Sequence, residues 1–162
     1  MTTPVQKFLP LVRRAITTVE ALQPLALLAA RLYVAQAFFL SGLTKIRDWD
    51  TTLALFADEY KVPLLPPELA AALGTGGELV LPVLLAFGLA GRFAAAGLSV
   101  MNVVAVISLA EIAPAALQQH QFWGSLLVGL LLWGPGRWSL DALLAPRLVG
   151  GPQGLQKAAR LA

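Results

Sequence analysis

The chain has 162 residues, 57% hydrophobic and 13% charged, with a mean hydropathy of +0.72. Soluble domains carry about 25% charged residues, so this composition places the chain in a membrane, with room for one domain. The net charge of +3 comes from basic residues scattered over both ends, without the basic stripe and interleaved aromatics that nucleic acid requires; the acidic partner it fits is anionic lipid. There is no cysteine and a single histidine. A thiol relay, an iron–sulfur cluster, thiolate metal ligation and a bis-histidine haem therefore cannot be built from one copy, and no metal-ligand set is identifiable.

Residues 1–24 mix Lys7, Arg13 and Arg14 with Phe8, Leu9, Leu11, Val12 and Ile16. They form either a basic amphipathic segment on the membrane surface or a frayed basic tail. Span 1 is expected at about residues 25–45. A basic region, an apolar run and the triplet Ala35-Gln36-Ala37 also fit a signal peptide, but Arg31 breaks the apolar core, and a span is expected instead. In the loop 46–67, Trp49, Leu53, Phe56 and Tyr60 recur at helical spacing after a capping Asp50, which predicts a short helix in the interface plane. Pro66-Pro67-Glu68 opens span 2, about 68–90, with a kink expected at Pro82. A tight turn at Gly88 to Arg92 leads to span 3, about 93–110. Span 4, about 115–133, crosses only if Gln118, Gln119, His120 and Gln121 face protein, water or headgroups. Gly134-Pro135-Gly136 stops it, Trp133 and Trp138 anchor it, and 146–162 is a tail. The fold class is an all-α membrane protein: a four-transmembrane-helix bundle with an interfacial helix in its first outer loop and an N-terminal amphipathic segment.

Four spans put both termini on one side, with Lys7, Arg13, Arg14, Arg92, Arg137, Arg147, Lys157 and Arg160. The other side holds only Lys45, Arg47 and Lys61. The bias predicts cytoplasmic termini, with loops 46–67 and 111–117 outside.

Arg31 and Glu78 lie inside apolar runs, where an unpaired charge costs a few kcal/mol. With span 1 entering at Leu22 and span 2 leaving at Ala90, both lie roughly 13–18 Å deep. Asn102 and Ser125 fall near the same level and Gln36 further out. The expectation is an Arg31–Glu78 ion pair within about 4 Å. Three roles stay open: an interhelical clamp glued by Asn102 and Ser125, a polar pocket for a headgroup or quinone carbonyl, or proton transfer through Glu78. Gln36, Lys45, Asn102, His120 and Ser125 are the candidate pocket residues. His120 is either an outer-side ligand or proton carrier, or an interfacial histidine bonded to a loop. Lys45 is expected to snorkel at the outer end of span 1.

An Arg in span 1 followed by Ser41-Gly42-Leu43-Thr44-Lys45 resembles the first helix of the DoxX family. Glu78-Leu79-Val80-Leu81-Pro82, then Gly88-Leu89-Ala90-Gly91-Arg92, resembles its second helix and turn, and Gly134-Pro135-Gly136-Arg137-Trp138-Ser139-Leu140-Asp141 its ending. The similarity covers about residues 25–145. Residues 60–67 are also similar to DoxX-like proteins found with bufferin-type, copper-linked peptide systems. The resemblance implies a four-helix bacterial inner-membrane protein and carries Arg31, Lys45 and Glu78 over as the family's polar positions. Some family members are subunits of a thiosulfate:quinone oxidoreductase and others are linked to oxidative or thiol stress. The first expectation is accordingly a membrane-embedded subunit or assembly partner of a redox- or metal-stress system, without a self-contained catalytic site. The second is a quinone- or lipid-interacting oxidoreductase subunit with its site at the Arg31–Glu78 layer, and the third a small transporter. No cofactor is identifiable beyond quinone or lipid. The expected partners are the bilayer and a second protein or a further copy of the chain.

Overall fold

A computed structural model describes residues 4–148. Among these residues all regular structure is helical: α1 (Pro4–Arg47), α2 (Trp49–Asp58), α3 (Pro67–Phe87), α4 (Gly91–Ile107), α5 (Pro114–Trp133) and α6 (Leu140–Leu148). The boundaries follow local chemistry. The Asp48 carboxylate accepts from the Thr51 backbone N–H at 3.0 Å and from its hydroxyl at 2.7 Å, and so starts α2. Asp50, the cap expected from sequence, falls in the first turn instead. The Thr51 hydroxyl, then its N–H, hold the Asp48 carboxyl below its ordinary pKa. Pro67 and Pro114 open α3 and α5, where a missing N–H costs nothing. Gly88, at φ +64°, closes α3 in the left-handed conformation that only glycine adopts freely.

Helices α3, α4 and α5 coincide within a few residues with the segments expected at 68–90, 93–110 and 115–133. The N-terminal boundary does not hold. No break separates residues 4–24 from span 1: α1 is one helix of 44 residues, about 66 Å long, with Pro10 and Pro24 inside it. Residues 10–23 of α1 are exposed, and burial begins at Pro24. The helix α6 was not expected. Residues 1–3, and residues 149–162 of the expected tail, lie outside the described residues.

The helix α1 packs on α3, α3 on α4, α4 on α5, and α5 back on α1. They enclose one core of Val34, Phe38, Leu85, Ala94, Ala95, Leu98, Leu127 and Leu130. Polar groups lie inside and large apolar ones outside. Arg31, Thr75 and Asn102 are buried, whereas Leu73, Val80, Phe87, Phe93, Val103, Ile107 and Leu132 are each more than half exposed. Water does not tolerate an apolar exterior this continuous, and lipid does. Two helices have both the length and the hydropathy to cross a bilayer, Pro10–Arg47 and Pro67–Phe87, and Gly91–Ile107 is apolar but shorter.

The helix α2 is docked on α3. Phe56 is buried with Ala70 and Ala71, and Leu53, Tyr60 and Val62 pack around them. Asp58 and Glu59 are exposed as expected, but Trp49 is exposed as well and takes no part in the buried face. The buried Thr52 hydroxyl donates to the Lys45 carbonyl at 2.9 Å, satisfying an acceptor that the end of α1 leaves open.

Candidate functional site

Two close approaches set the register of α1 against α3. A methyl group on Gly42 would stand 3.0 Å from Glu78 Cβ and from the Leu79 side chain, so the helices meet there. A methyl group on Gly88 would collide with Arg31 Nη1 and with Ser139. Gly42 is thus level with Glu78, and Arg31 with Gly88, so the helices run antiparallel. Arg31 and Glu78 are then about ten residues apart along the bundle, roughly 15 Å. The expected Arg31–Glu78 ion pair does not form. Its depth estimate assumed that α1 enters the bilayer at Leu22, but nothing in an unbroken helix marks that point.

Arg31 is fully buried, and its Nη2 donates to the Trp138 backbone carbonyl at 2.5 Å. Its Nε and Nη1 have no partner among the described residues. Asp141 lies close by and spends both oxygens on backbone, accepting from Ala90 N and Gly91 N at 2.8 Å each. Those N–H groups open α4, whose own N-cap residue, Ala90, offers no side-chain acceptor. The Ser139 hydroxyl donates to the Gly136 carbonyl at 2.6 Å and accepts from Ala142 N at 3.2 Å, which starts α6. The Asp141 N–H also donates to the Gly88 carbonyl at 3.0 Å. Arg31 therefore ties α1, the α3–α4 turn and the start of α6 into one closed knot.

Glu78 pairs with Lys45. The Lys45 ammonium donates to both Glu78 oxygens at 2.5 Å and to Ser41 Oγ at 3.1 Å. The two side chains are 20% and 13% exposed, so the pair is shielded but open on one side. Lys45 lies one half turn from the end of α1 and reaches back along the helix, so snorkelling outward is replaced by an inward ion pair. The pair opens on a cavity of about 520 Å³ between α1, α2, α3, α4 and α5. Most of its wall is apolar, with Phe38, Phe56, Leu73 and Met101 among the contributors, and Tyr60, His120 and Trp123 also face it. Cavities of about 300–1,000 Å³ with apolar walls and a few polar groups are what small-molecule sites look like. Burial first, then the negative charges of Glu59 and Glu78, raise the Tyr60 phenol, which stays protonated at neutral pH.

The expected pocket residues divide. Lys45 and His120 line the cavity. Asn102 is buried behind it, with Oδ1 2.8 Å from His120 Nδ1 and Nδ2 donating to the His120 carbonyl at 2.9 Å. Ser125 turns away: it is exposed, and its hydroxyl donates to the Phe122 carbonyl of its own helix at 2.8 Å. Gln36 is exposed and does not line the cavity. Gln119, in the polar stretch that made the fourth span doubtful, donates to the Tyr33 hydroxyl at 3.1 Å. The Trp123 indole N–H is buried without a partner among the described residues, and the ring stacks edgewise on His120 at 5.2 Å.

The DoxX family profile matches residues 26–111, which include Arg31, Gly42, Lys45, Glu78 and Gly88. The chain belongs to the DoxX family. An uncharacterized protein of Haemophilus influenzae is similar, with 30% identity over 128 residues, covering 74% of this chain and 83% of the relative. No solved structure matches the chain. The DoxX match makes this a membrane protein and agrees with its apolar helices. It ends at residue 111, so the contributions of Trp138, Ser139 and Asp141 come from the geometry alone. Sequence reasoning gives Trp138 the role of an interface anchor, and Ser139 and Asp141 only a place in the ending that resembles the family's. The available signal was local: Ser139 three residues before Ala142 is an N-cap pattern, and it announced α6.

Proposed function

We propose that this DoxX protein is a four-span protein of the bacterial inner membrane with cytoplasmic termini. Its cavity, in the outer half of the bundle, binds a lipophilic molecule with a polar head, of quinone or lipid class. The observation that carries the reading is the Lys45–Glu78 ion pair opening onto an otherwise apolar cavity of about 520 Å³. An ion pair that served only as a clamp would be better packed over than left beside a void, because empty space beside a side chain costs contact energy. The excess of Lys and Arg on the side of the termini supports the orientation, and α2 then roofs the cavity from outside. In this reading the chain is the ligand-holding membrane subunit of a redox- or metal-stress system, as the family resemblance suggests. Any electron transfer runs through the bound quinone or a partner's cofactor.

The test is purification in mild detergent, followed by extraction and mass spectrometry of bound small molecules. Titration with decylubiquinone, followed by calorimetry, accompanies it. A prenylated quinone or a defined lipid near one per chain, or saturable binding that Glu78→Gln with Lys45→Met abolishes, is the expected result. A folded protein that carries no lipophile and binds none overturns the reading.

A further inference from the structure

The cavity's fixed polar groups are unequal in what they can still do. The Lys45 ammonium has three hydrogens, and Ser41 Oγ and the two Glu78 oxygens take all three. Glu78 is a carboxylate and can only accept, and the ammonium uses only part of its lone-pair capacity. His120 is fixed by Asn102. The Asn102 amide nitrogen must face the His120 carbonyl, because a carbonyl only accepts, at 2.9 Å. That turns the amide oxygen to His120 Nδ1 at 2.8 Å. An amide oxygen has no hydrogen to give, so Nδ1 carries the ring's proton. A neutral imidazole then has a bare lone pair at Nε2, which has no partner among the described residues. Of the remaining polar groups, the Ser108 hydroxyl spends its hydrogen on the Val104 carbonyl at 2.6 Å, and the hydroxyls of Tyr60 and Ser41 rotate and serve as donor or acceptor. The cavity thus holds unspent acceptors and no fixed unspent donor among the residues that line it, apart from the indole N–H of Trp123, which is sealed from the cavity by burial.

A ligand that satisfies the fixed acceptors must bring hydrogen. A quinone ring offers two carbonyl acceptors and no hydrogen to donate. Its reduced form offers two phenolic hydroxyls, one for His120 Nε2 and one for Glu78 or the Tyr60 hydroxyl. Resting on the reading that the cavity holds a lipophilic molecule with a polar head, we infer that it selects the hydroxyl-bearing form: a quinol, or a lipophilic phenol of the same shape. His120 accepts the hydroxyl, and Asn102 is a positioning residue that sets the tautomer.

The experiment is anaerobic calorimetry of the whole protein in detergent with three probes: decylubiquinol, decylubiquinone and the dimethyl ether of the quinol. One well-made hydrogen bond against an unsatisfied acceptor is worth about tenfold in affinity. The quinol is expected to bind about tenfold tighter than the quinone, and the dimethyl ether to bind no better than the quinone. Asn102→Leu, which frees the imidazole to change tautomer, should reduce the preference while binding persists. The chain has one histidine, so labelling with ¹⁵N-histidine gives one pair of imidazole signals. A protonated Nδ1 and a bare Nε2 that moves on adding quinol are expected, and this readout needs no variant. Equal or tighter binding of the quinone, or a proton resident on Nε2, overturns the inference and leaves the cavity reading intact. Absence of binding by all three probes overturns the inference and, with no lipophile copurifying, the cavity reading as well.

Discussion

The two polar centres use the same kinds of group to opposite ends. At the Arg31 end, guanidinium, carboxylate and hydroxyl are turned onto backbone groups: Arg31 to the Trp138 carbonyl, Asp141 to the first N–H groups of α4, Ser139 to the start of α6. No room is left, since even a methyl group on Gly88 would collide with the guanidinium. At the Lys45 end an ion pair of similar chemistry stands beside a cavity and is partly exposed. A buried charge bonded to backbone joins chain segments, and one left beside a void is, on the proposed reading, available to a ligand. The difference separates structure from function more cleanly than the presence of charge does.

The sharpest way to break this comparison is to damage each end and measure both stability and binding. Arg31→Met should have the largest effect on stability, about 3 kcal/mol, because the Trp138 carbonyl loses its charged donor and the half-buried Asp141 carboxylate loses a nearby cation. Thermal unfolding in detergent measures it, and whatever protein remains folded should bind decylubiquinone with unchanged affinity. A variant that keeps its melting temperature but loses ligand would invert the roles of the two ends. Lys45→Met comes next, at about 2 kcal/mol, since Glu78 is stranded but not wholly cut off from water. The double change Lys45→Met with Glu78→Gln should recover most of that stability and still not bind. If it binds as the wild type does, the pair is a clamp after all. Asp141→Asn should cost about 1 kcal/mol, because one of the two N–H groups at the start of α4 then meets an amide N–H instead of a carboxylate oxygen. The smallest effect belongs to Asp48→Ala at the exposed start of α2. Thr51 lowers the Asp48 carboxyl in the folded chain, so its stabilisation is present above the unfolded carboxylate value, near pH 4, and fades as pH falls through the folded value. The melting difference between this variant and the wild type should therefore shrink in acid. A difference that grows below about pH 4 would remove the cap from the account.

Much of the fold was legible because it is local. Apolar runs, the Pro66-Pro67 start and the stop at Gly134 each act within a few residues, and they placed α3, α4 and α5. Lys45, Glu78, Asn102 and His120 were legible as polar groups in apolar company. What connects them was not. Depth follows from where a span begins, and α1 has no beginning at Leu22. Partnership is set by which faces of α1 and α3 meet, and that depends on Gly42, a residue that carries no chemistry of its own. Ser125 illustrates the same limit: its depth matched the polar layer, but its side chain bonds its own helix. The Arg31 knot was missed because its acceptor is a backbone carbonyl at Trp138, and main-chain acceptors leave no trace in the choice of side chain.

The spacing of the two close approaches fixes how this bundle can move. Gly42 against Glu78 and Arg31 against Gly88 are contacts separated by eleven residues on one helix and ten on the other, and they act as two rivets on neighbouring struts. One rivet would permit a pivot, but two prevent sliding. A residue inserted between Arg31 and Gly42 would turn one contact about 100° away from its partner, because each residue advances a helix by 1/3.6 of a turn. An equal insertion in the loop between α2 and α3 would leave both in place. The rivets therefore hold α1 and α3 in one register and leave any admission of the proposed ligand to the other elements that line the cavity, α2, α4 and α5.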